Sequence, residues 1–567
     1  MASFFATLLI WFSAALAAQP SNVGGRVDDG LVLDVTEEGL QQLTPAVAAA
    51  IPTPVEPGDI ELSFPVIFGT INVAVTNLSV DVEVDEVRVT PRSGVLELDV
   101  DATVSVNSDP NPANLQVAGT QCNFYMSPFQ VQASTTAMVE LLRDDQGIDF
   151  DRDGTPDTKN VDVSFGAFTL SDNATTDDLQ GCNTLQDINA ILSLVGIDVL
   201  SLVLDLLRDE LLVVIEALPA QLEPLIEEPF RSFNVAQEID ILGVPLFLAL
   251  WPDTLAINSD GMRVGIASFT DAPLDPCTAQ YGIDTYEASS EPVPLPPYPD
   301  SPVNAPHVVG FAEDDFANQA LFATWAGGLL CLDLNDPENT FNLPLAIDSS
   351  LLAVLAPSGT YDKVFDEVVP ISLVTDPKAP PVVDLTGAED ITVLLDPVGF
   401  VVEAEVAGRR SRVLDIEVIG RLGADLDFDG QSGEISLGLT QITDDSVDVA
   451  VVHNDFAPEV NADIEAGVNA LLTKVAGPLL DEQLAAATLT LELPTFDGFG
   501  LQSLDVEPAA GDDSILGTYA LVGEVPYVGA SCTDGGGCDQ GCTSGGLPTG
   551  TTLGFLGVLA LIVRRRR

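Results

Sequence analysis

Two aspartate-rich turns are the residues whose types and spacing most directly indicate chemistry. The first turn places aspartates at loop positions 1, 3, 5 and 9, with glycine at position 6: Asp149, Asp151, Asp153 and Asp157. Ca²⁺ binds about six to eight oxygen ligands, and this spacing can curl several carboxylates around one ion while glycine makes the sharp turn. Asn160 stands at position 12, where a bidentate glutamate is expected.

The second turn keeps the first three of these positions with Asp425, Asp427 and Asp429, and Glu434 lies one place beyond position 9. We therefore predict that calcium is a structural cofactor that pins a strand connection at each turn. The alternative is a solvated acidic turn in an acidic protein.

Histidine and nucleophile motifs give no sign of catalysis. The chain contains two histidines, His307 and His453, and neither belongs to a nucleophile, metalloprotease or phosphate-loop motif. Carboxylates are so abundant that a pair of them is not diagnostic. We predict that the chain is not an enzyme.

The seven cysteines indicate disulfides rather than a zinc site, because none forms a Cys-x-x-Cys motif or lies near a histidine cluster. Their order and spacing suggest the pairs Cys122–Cys182, Cys277–Cys331 and Cys532–Cys538. Cys542 is then left over. Sequence alone does not fix the connectivity, so the three pairs are a hypothesis.

The elements that must position these residues repeat on both sides of a proline-rich segment, 289–306, which is predicted to be a stiff linker. Each side begins with a short amphipathic helix, at 36–50 and 313–325, with acidic residues in its first turn. Thr36 is a candidate N-cap. The aspartate-rich turn follows the first helix at the same distance in both halves, which favours a duplication.

Long strands follow each short helix. Period-two alternation of apolar and acidic residues over 78–85, 96–106, 413–419 and 446–451 predicts antiparallel sheets with one wet face.

Each half then contains a long apolar helix, predicted at 187–216 and 458–484 and packed against the concave face of a sheet. A membrane span is the alternative for the first helix. Asp198, Asp205 and Arg208 lie within it, and charges at the bilayer centre cost roughly 2.5–3.5 kcal/mol each.

Both ends of the chain are predicted to be targeting signals. Residues 1–18 have the apolar run and small-residue site of a signal peptide. Residues 544–567 form a short hydrophobic tail that ends in Arg564–Arg567, preceded by a Cys/Gly-rich linker at 524–543. An ordinary membrane anchor is the alternative for this tail.

Composition limits the possible partners. The formal net charge is −67, so the surface repels nucleic-acid phosphates and has no electrostatic attraction to anionic lipid headgroups. Hydrophobic residues make up 46% of the chain, which excludes an acidic disordered protein.

Two resemblances follow from these parts. The tail, a cysteine followed by a weak hydrophobic helix and an arginine cluster, resembles the MYXO-CTERM sorting signal of myxobacteria. This resemblance implies processing by a sorting protease near Cys542, with lipid attachment at that cysteine as an option. It also implies display at the cell surface or outer membrane of a Gram-negative bacterium.

The order of elements over roughly 31–523 resembles the bactericidal/permeability-increasing protein family of tubular lipid-binding (TULIP) proteins. The segment 311–330 is similar to the opening of that family's second domain, and 493–501 is similar to its closing strand region. Cys122 and Cys182 match the family's strand-to-helix disulfide. The lysine-rich tips of the antibacterial members are absent from this sequence, so killing and lipopolysaccharide neutralisation are not carried over.

The resemblance implies an α+β fold of two tandem elongated domains, 31–288 and 307–523, each a highly twisted antiparallel β-sheet or barrel wrapped around a long helix. It also implies binding of phospholipid or another acyl lipid in apolar pockets. Candidate wall residues lie on the inward strand faces and the helices: Leu96, Leu98, Val100, Ile191, Leu194, Val195, Leu202, Leu206, Phe316, Leu321, Ile464, Val468 and Leu472. The alternatives are plain core packing for each residue, and a calcium-stabilised β-rich adhesion protein without ligand for the whole chain.

Overall fold

The computed structural model describes most of the chain between residues 25 and 524. The described residues are 25–42, 59–66, 69–108, 111–117, 120–144, 147–149, 156–181, 234–241, 244–282, 286, 306–335, 347–356, 359–365, 367–385, 390–406, 408–429, 434–439, 443, 446–476, 491–492, 499–508, 515–524 and single positions between 201 and 227. The predicted signal peptide, the sorting tail and almost all of both linkers lie outside them.

Strands make up most of the described residues. The first half contains β1 (Gly25–Thr36), β2 (Ile60–Val66), β3 (Gly69–Thr76), β4 (Val80–Arg92), β5 (Val95–Val106), β6 (Ala113–Val117), β7 (Thr120–Arg143), β8 (Lys159–Phe165), β9 (Thr169–Asp172), β10 (Leu179–Gln180), β11 (Val235–Ile241), β12 (Val244–Asn258) and β13 (Gly261–Asp271). The second half contains β14 (Val308–Glu313), β15 (Ile371–Pro377), β16 (Val382–Asp384), β17 (Ile391–Val406), β18 (Arg409–Asp429), β19 (Glu434–Leu439), β20 (Val447–His453), β21 (Leu491–Glu492), β22 (Phe499–Pro508) and β23 (Ile515–Glu524).

The described helices are short. They are α1 (Glu37–Gln41), α2 (Pro276–Ala279), α3 (Asp314–Ala326), α4 (Ser349–Leu355) and α5 (Asn461–Leu471). Thr36 caps α1 as predicted, because its Oγ1 accepts a hydrogen bond from the Gly39 N–H. Asp314 and Asp315 occupy the first turn of α3, where the helix dipole favours acidic side chains.

The strands form three open sheets. The central sheet has the order β11-β12-β13-β1-β14-β23-β22. The first-half sheet has the order β2-β3-β6-β7-β5-β4, and β8, β9 and β10 also pair with β7. The second-half sheet has the order β15-β17-β18-β19-β21, with β16 on β17 and β20 on β18. All pairs are antiparallel, as the alternation of buried and exposed residues in strands such as β5 predicts.

The central sheet joins the two halves. Strands β1 and β14 pair from Leu31 opposite Ala312 to Val35 opposite Val308. On either side of this pair the order is the same, since β13 and β12 flank β1 while β23 and β22 flank β14. Each half therefore contributes its opening strand and its last two strands in equivalent positions, which agrees with the repeated element order in the sequence.

The predicted α+β class, with two closed barrels around long helices, is wrong. The described residues are mainly strand, the three sheets are open, and the longest described helix is α3, with 13 residues. The last two strands of each half instead extend the shared central sheet. Of the predicted helix 458–484, α5 ends at Leu471 and a π-helical turn follows at Leu472–Ala476; the remainder lies outside the described residues.

Most of the predicted helix 187–216 also lies outside the described residues. The described positions between 201 and 227 are helical. Within the part of the chain that the structure describes, no helix combines the length and hydropathy needed to cross a bilayer.

Helix α3 is almost completely buried against the central sheet. The side chain of Gln319 accepts a hydrogen bond from Ser268 Oγ at 2.8 Å and donates one to the Gly25 carbonyl at 2.6 Å. Asn318 Oδ1 accepts from the Val383 N–H at 2.6 Å. One short helix therefore contacts strands β1 and β13 of the first half and β16 of the second.

A buried ion pair lies between two strands of the central sheet. The Asp34 carboxylate has no solvent exposure and accepts hydrogen bonds from two guanidinium nitrogens of Arg263, one of them at 2.6 Å. Burial raises the pKa of Asp34 above its usual value, and the Arg263 guanidinium opposes that rise. The pair therefore makes the stability of the sheet depend on retaining both partners.

Substituting Arg263→Leu should destabilise the protein by about 3–5 kcal/mol near neutral pH, because Asp34 is left buried without its cation. Because the pKa of Asp34 is raised in the folded protein, folding is favoured at low pH, where Asp34 is protonated. That stability is lost as pH rises through the raised pKa. The destabilisation should therefore shrink as pH falls from about 7 to about 5. Chemical denaturation of the variant and the parent at both pH values measures this difference.

The matched control is the double variant Arg263→Leu/Asp34→Asn, in which the pH dependence of the difference should disappear. Equal destabilisation by Arg263→Leu at both pH values would contradict the assigned role of Asp34.

Candidate lipid-binding interior

The inward face of β5 supplies the first three predicted wall residues. Leu96, Leu98 and Val100 are all buried at alternate positions of the strand. They belong to one apolar cluster with residues of the neighbouring strands β4 and β7: Val87, Val89, Ala133, Ala137 and Val139. The sequence alternation therefore identified the correct face of this strand.

The other wall of this cluster comes from the central sheet. Leu248 and Leu250 of β12, with Val264 and Ile266 of β13, belong to the same cluster as Leu98. The cluster, which we call the first-half interior, is thus enclosed between the first-half sheet and the central sheet. The strands that enclose it come from different parts of the first half: β4, β5 and β7 on one side, and β12 and β13 on the other.

Helical residues also contact the first-half interior. Leu222 is buried within it and Ile215 packs against it, while Leu204 is buried in a second cluster with Phe124 and Met126 of β7. Of the predicted helical wall residues, Ile191, Leu194, Val195, Leu202 and Leu206 lie outside the described residues.

A polar contact holds the outer side of this helical segment. The Arg208 guanidinium contacts the Asp172 carboxylate at the end of β9, with the closest nitrogen at 2.7 Å. This contact lowers the pKa of Asp172, chiefly through the hydrogen bond from Arg208. Asp205 is exposed beside Arg208, so these two of the charged residues that argued against a membrane span lie at the surface. Asp198 lies outside the described residues.

Phe316 was predicted as a wall residue of the second half, but the structure places it in the first-half interior beside Leu31 and Leu40. The reason is that α3, on which it lies, packs across the central sheet. Leu321, on the same helix, packs instead against a small cluster of Val383, Leu385 and Leu516.

The remaining predicted residues of the second half lie together. Ile464 and Val468 of α5 are buried in one cluster, and Leu472 packs against it. The opposite wall of this cluster, the second-half interior, is formed by β17 and β18: Val402, Ala404, Val413, Leu414, Ile416 and Val418. A buried hydrogen bond from Tyr361 Oη to Asn454 Oδ1 lies beside it, and burial raises the pKa of Tyr361 to about 12.

The two aspartate-rich turns that were predicted to bind calcium have different structural environments. Asp151 and Asp153 lie outside the described residues, while Asp157 contacts the Arg26 guanidinium at 3.2 Å. Arg26 also contacts Asp253, which accepts a hydrogen bond from Lys159. At the first turn, therefore, an arginine already engages one predicted ligand.

At the second turn, Asp425, Asp427 and Asp429 occupy alternate positions at the end of β18 rather than a loop. Asp429 pairs with Glu434 at the start of β19, and residues 430–433 between them lie outside the described residues. Calcium binding at either turn stays a prediction.

The cysteine pair Cys277–Cys331 is confirmed as a disulfide. Cys122 is disulfide-bonded as well, and its predicted partner Cys182 lies outside the described residues, as do Cys532, Cys538 and Cys542.

Sequence reasoning missed the Asp34–Arg263 pair, which joins two strands of the first half, and the buried amide of Gln319, which joins the two halves. It also missed the buried amide of Asn318, which binds α3 to β16. The sequence contained only part of the information needed to predict these contacts. A polar residue within an apolar strand or helix is a candidate for a buried partner, but the partner lies more than two hundred residues away for Asp34 and Arg263.

The substitution Leu98→Ala should lower the free energy of unfolding by about 2–5 kcal/mol, because it opens a cavity in the first-half interior. Asp99→Ala is the matched control, since Asp99 is the exposed neighbour on the opposite face, and it should change stability by less than about 0.5 kcal/mol. Urea denaturation measures both. Similar effects of the two variants would contradict the assigned faces of β5.

The chain has structural likeness to several solved proteins. No family model and no curated protein matches it. A lipopolysaccharide binding protein is 14% identical at a TM-score of 0.46, over 88% of this chain and 100% of its own. The P47 proteins of Clostridium botulinum E1 and A2 are each 8% identical, at TM-scores of 0.25 and 0.22. They cover 86% of this chain and 98% and 96% of their own.

Proposed function

We propose that this chain binds acyl lipid in the first-half interior and, secondarily, in the second-half interior. The observation that carries the proposal is the composition of the first-half interior, where the apolar faces of two sheets and helical residues such as Leu222 meet. An acyl chain needs apolar walls, and here two sheets and a helical segment supply them.

The energetics allow binding without basic residues. Each buried CH₂ contributes roughly 0.8 kcal/mol, so a 16-carbon chain gains on the order of 12 kcal/mol before the costs of association. The outward faces are acidic; Asp81 and Asp99, for example, are exposed on β4 and β5. Burial of the acyl chain, rather than attraction of an anionic headgroup, therefore supplies the affinity.

The predicted export signals extend this proposal. A protein held at the outer membrane surface by a processed tail would keep its lipid-binding interior beside a source of lipid. The chain would then store, sense or transfer lipid at that surface, and no catalytic step is required for any of these roles.

Lipid should co-purify with the protein. Native mass spectrometry of the purified chain should show mass above that of the polypeptide, and organic extraction should release acyl lipid. The variant Leu98→Trp, which fills the first-half interior, should reduce the extracted lipid at a stability cost of about 1–3 kcal/mol.

The control Asp99→Trp carries the same side chain on the exposed face and should retain the lipid. A protein without extractable lipid would overturn the proposal. That outcome would favour the alternative, a β-rich adhesion protein without ligand, with which the predominance of strands is also compatible.

We also propose that bound calcium stabilises the structure of this protein. Calorimetry of the purified chain with about 1 mM Ca²⁺, the affinity range of extracellular calcium modules, should give binding heat and raise Tm. We expect the Asp427→Asn/Asp429→Asn variant to lose more of this effect than Asp149→Asn/Asp151→Asn, because Arg26 competes with Ca²⁺ for Asp157 at the first turn.

The control Asp81→Asn/Asp99→Asn removes the same charge from the outer sheet face and should leave the calcium response unchanged. Neither heat nor a Tm shift in the parent protein would contradict the calcium role.

A further inference from the structure

A short segment after β13 fastens the first half onto the second. Residues 272–286, which we call the strap, leave the central sheet, form α2 and precede the proline-rich linker; all but 283–285 are described. Cys277 of the strap is disulfide-bonded to Cys331, which follows α3. The strap therefore crosses from the last strand of one half to the first long helix of the other.

Hydrogen bonds to the Ala326 carbonyl hold the strap against the end of α3. The Asp275 N–H donates to the Ala326 carbonyl at 2.9 Å, and Thr278 Oγ1 donates to the same carbonyl at 2.7 Å. Gly328 has a φ of +90°, and a Cβ at this position would lie 2.8 Å from the Asp275 side chain. The end of α3 is thus shaped to accept the strap.

Two tyrosines extend the strap over the second half. The Tyr281 hydroxyl donates to the Asp376 carboxylate on β15, and the Tyr286 hydroxyl donates to Asp315 at the start of α3. The Tyr286 ring packs on Phe322 with the centroids 5.7 Å apart. Burial, and then the hydrogen bond to the neighbouring carboxylate, raise the pKa of both phenols above their usual value, so both remain donors.

The disulfide is the one covalent fastening between the strap and the residues after α3 in the described part of the chain. Cys277 and Cys331 are both half-buried, so a small thiol can approach the bond. Without it, the end of α3 keeps the hydrogen bonds to the Ala326 carbonyl. The strap also keeps its tyrosine contacts, to Asp376 on β15 and to Asp315 and Phe322 of α3. The first turns of α3 keep separate contacts through Phe316 and Gln319.

We propose that the Cys277–Cys331 disulfide is a redox-sensitive latch that sets how firmly the end of α3 is held between the two halves. The reductant is a dithiol. Its first thiolate attacks one cysteine sulfur, the S–S bond breaks, and the other cysteine leaves as a thiolate that takes up a proton. The second thiol of the reductant then closes on the first, which yields an oxidised cyclic disulfide and two free cysteines in the protein.

The structural consequence is local. Opening the latch loosens the strap and the segment 327–335, which follows α3, because only the hydrogen bonds and the tyrosine contacts then hold them together. The pairing of β1 with β14 and β13 remains intact. This device is independent of the proposed lipid binding, since neither cysteine belongs to the apolar clusters that form the two interiors.

Hydrogen exchange measured by mass spectrometry on the full chain tests the latch. The variant Cys277→Ser/Cys331→Ser should show exchange on the order of tenfold faster in peptides covering 272–282 and 322–335, with β1 and β13 unchanged. Treatment of the parent with dithiothreitol should reproduce this pattern and make both cysteines alkylatable under native conditions. Added to the double variant, dithiothreitol should cause no further change in those peptides.

The control Cys122→Ala removes the other described disulfide-bonded cysteine and should leave exchange at 272–282 and 322–335 unaltered. The proposal is overturned by unchanged exchange in the serine double variant. A rise that extends equally through β1 and β13, or cysteines that react only after denaturation, would also overturn it.

Discussion

The structure depends on the antiparallel pairing of β1 with β14. A strand at a sheet edge leaves a row of backbone N–H and C=O groups without partners, and burying such groups unpaired is costly. Here the opening strand of each half satisfies the other, and the closing strands β13 and β23 complete the ladder on both sides. Neither half can therefore complete its own part of the central sheet alone.

The shared sheet also positions the apolar interiors. Because β12 and β13 belong to the central sheet, they face the first-half sheet from across the molecule and turn Leu248, Leu250 and Val264 toward Leu98. Helix α3, which belongs to the second half, packs on the same sheet and places Phe316 in the first-half interior. Contacts that look local to one half in the sequence are thus shared between halves. The strap and its disulfide add a covalent link at the far end of the same helix.

Local patterns predicted the local structure well. The alternation along β5 identified the buried face, Thr36 was recognised as a cap, and the order of the cysteines gave the Cys277–Cys331 pair. Pairing was harder to predict, because alternation shows which face of a strand is wet but not which strand lies beside it. The predicted barrels failed for that reason, because alternation did not show that β13 and β23 flank β1 and β14 in one shared sheet.

Sequence reasoning also assigned Phe316 to the wrong half, since helical periodicity gives the apolar side of a helix and not the surface that it covers.

Photo-crosslinking tests the central claim, acyl-lipid binding in the interior, most directly. A phospholipid with a diazirine at the middle of one acyl chain would be equilibrated with the purified protein, photolysed, and mapped by peptide mass spectrometry. The account predicts adducts in β5 and in 201–227, lost in Leu98→Trp and retained in Asp99→Trp. Adducts confined to exposed residues, or none at all, would contradict it.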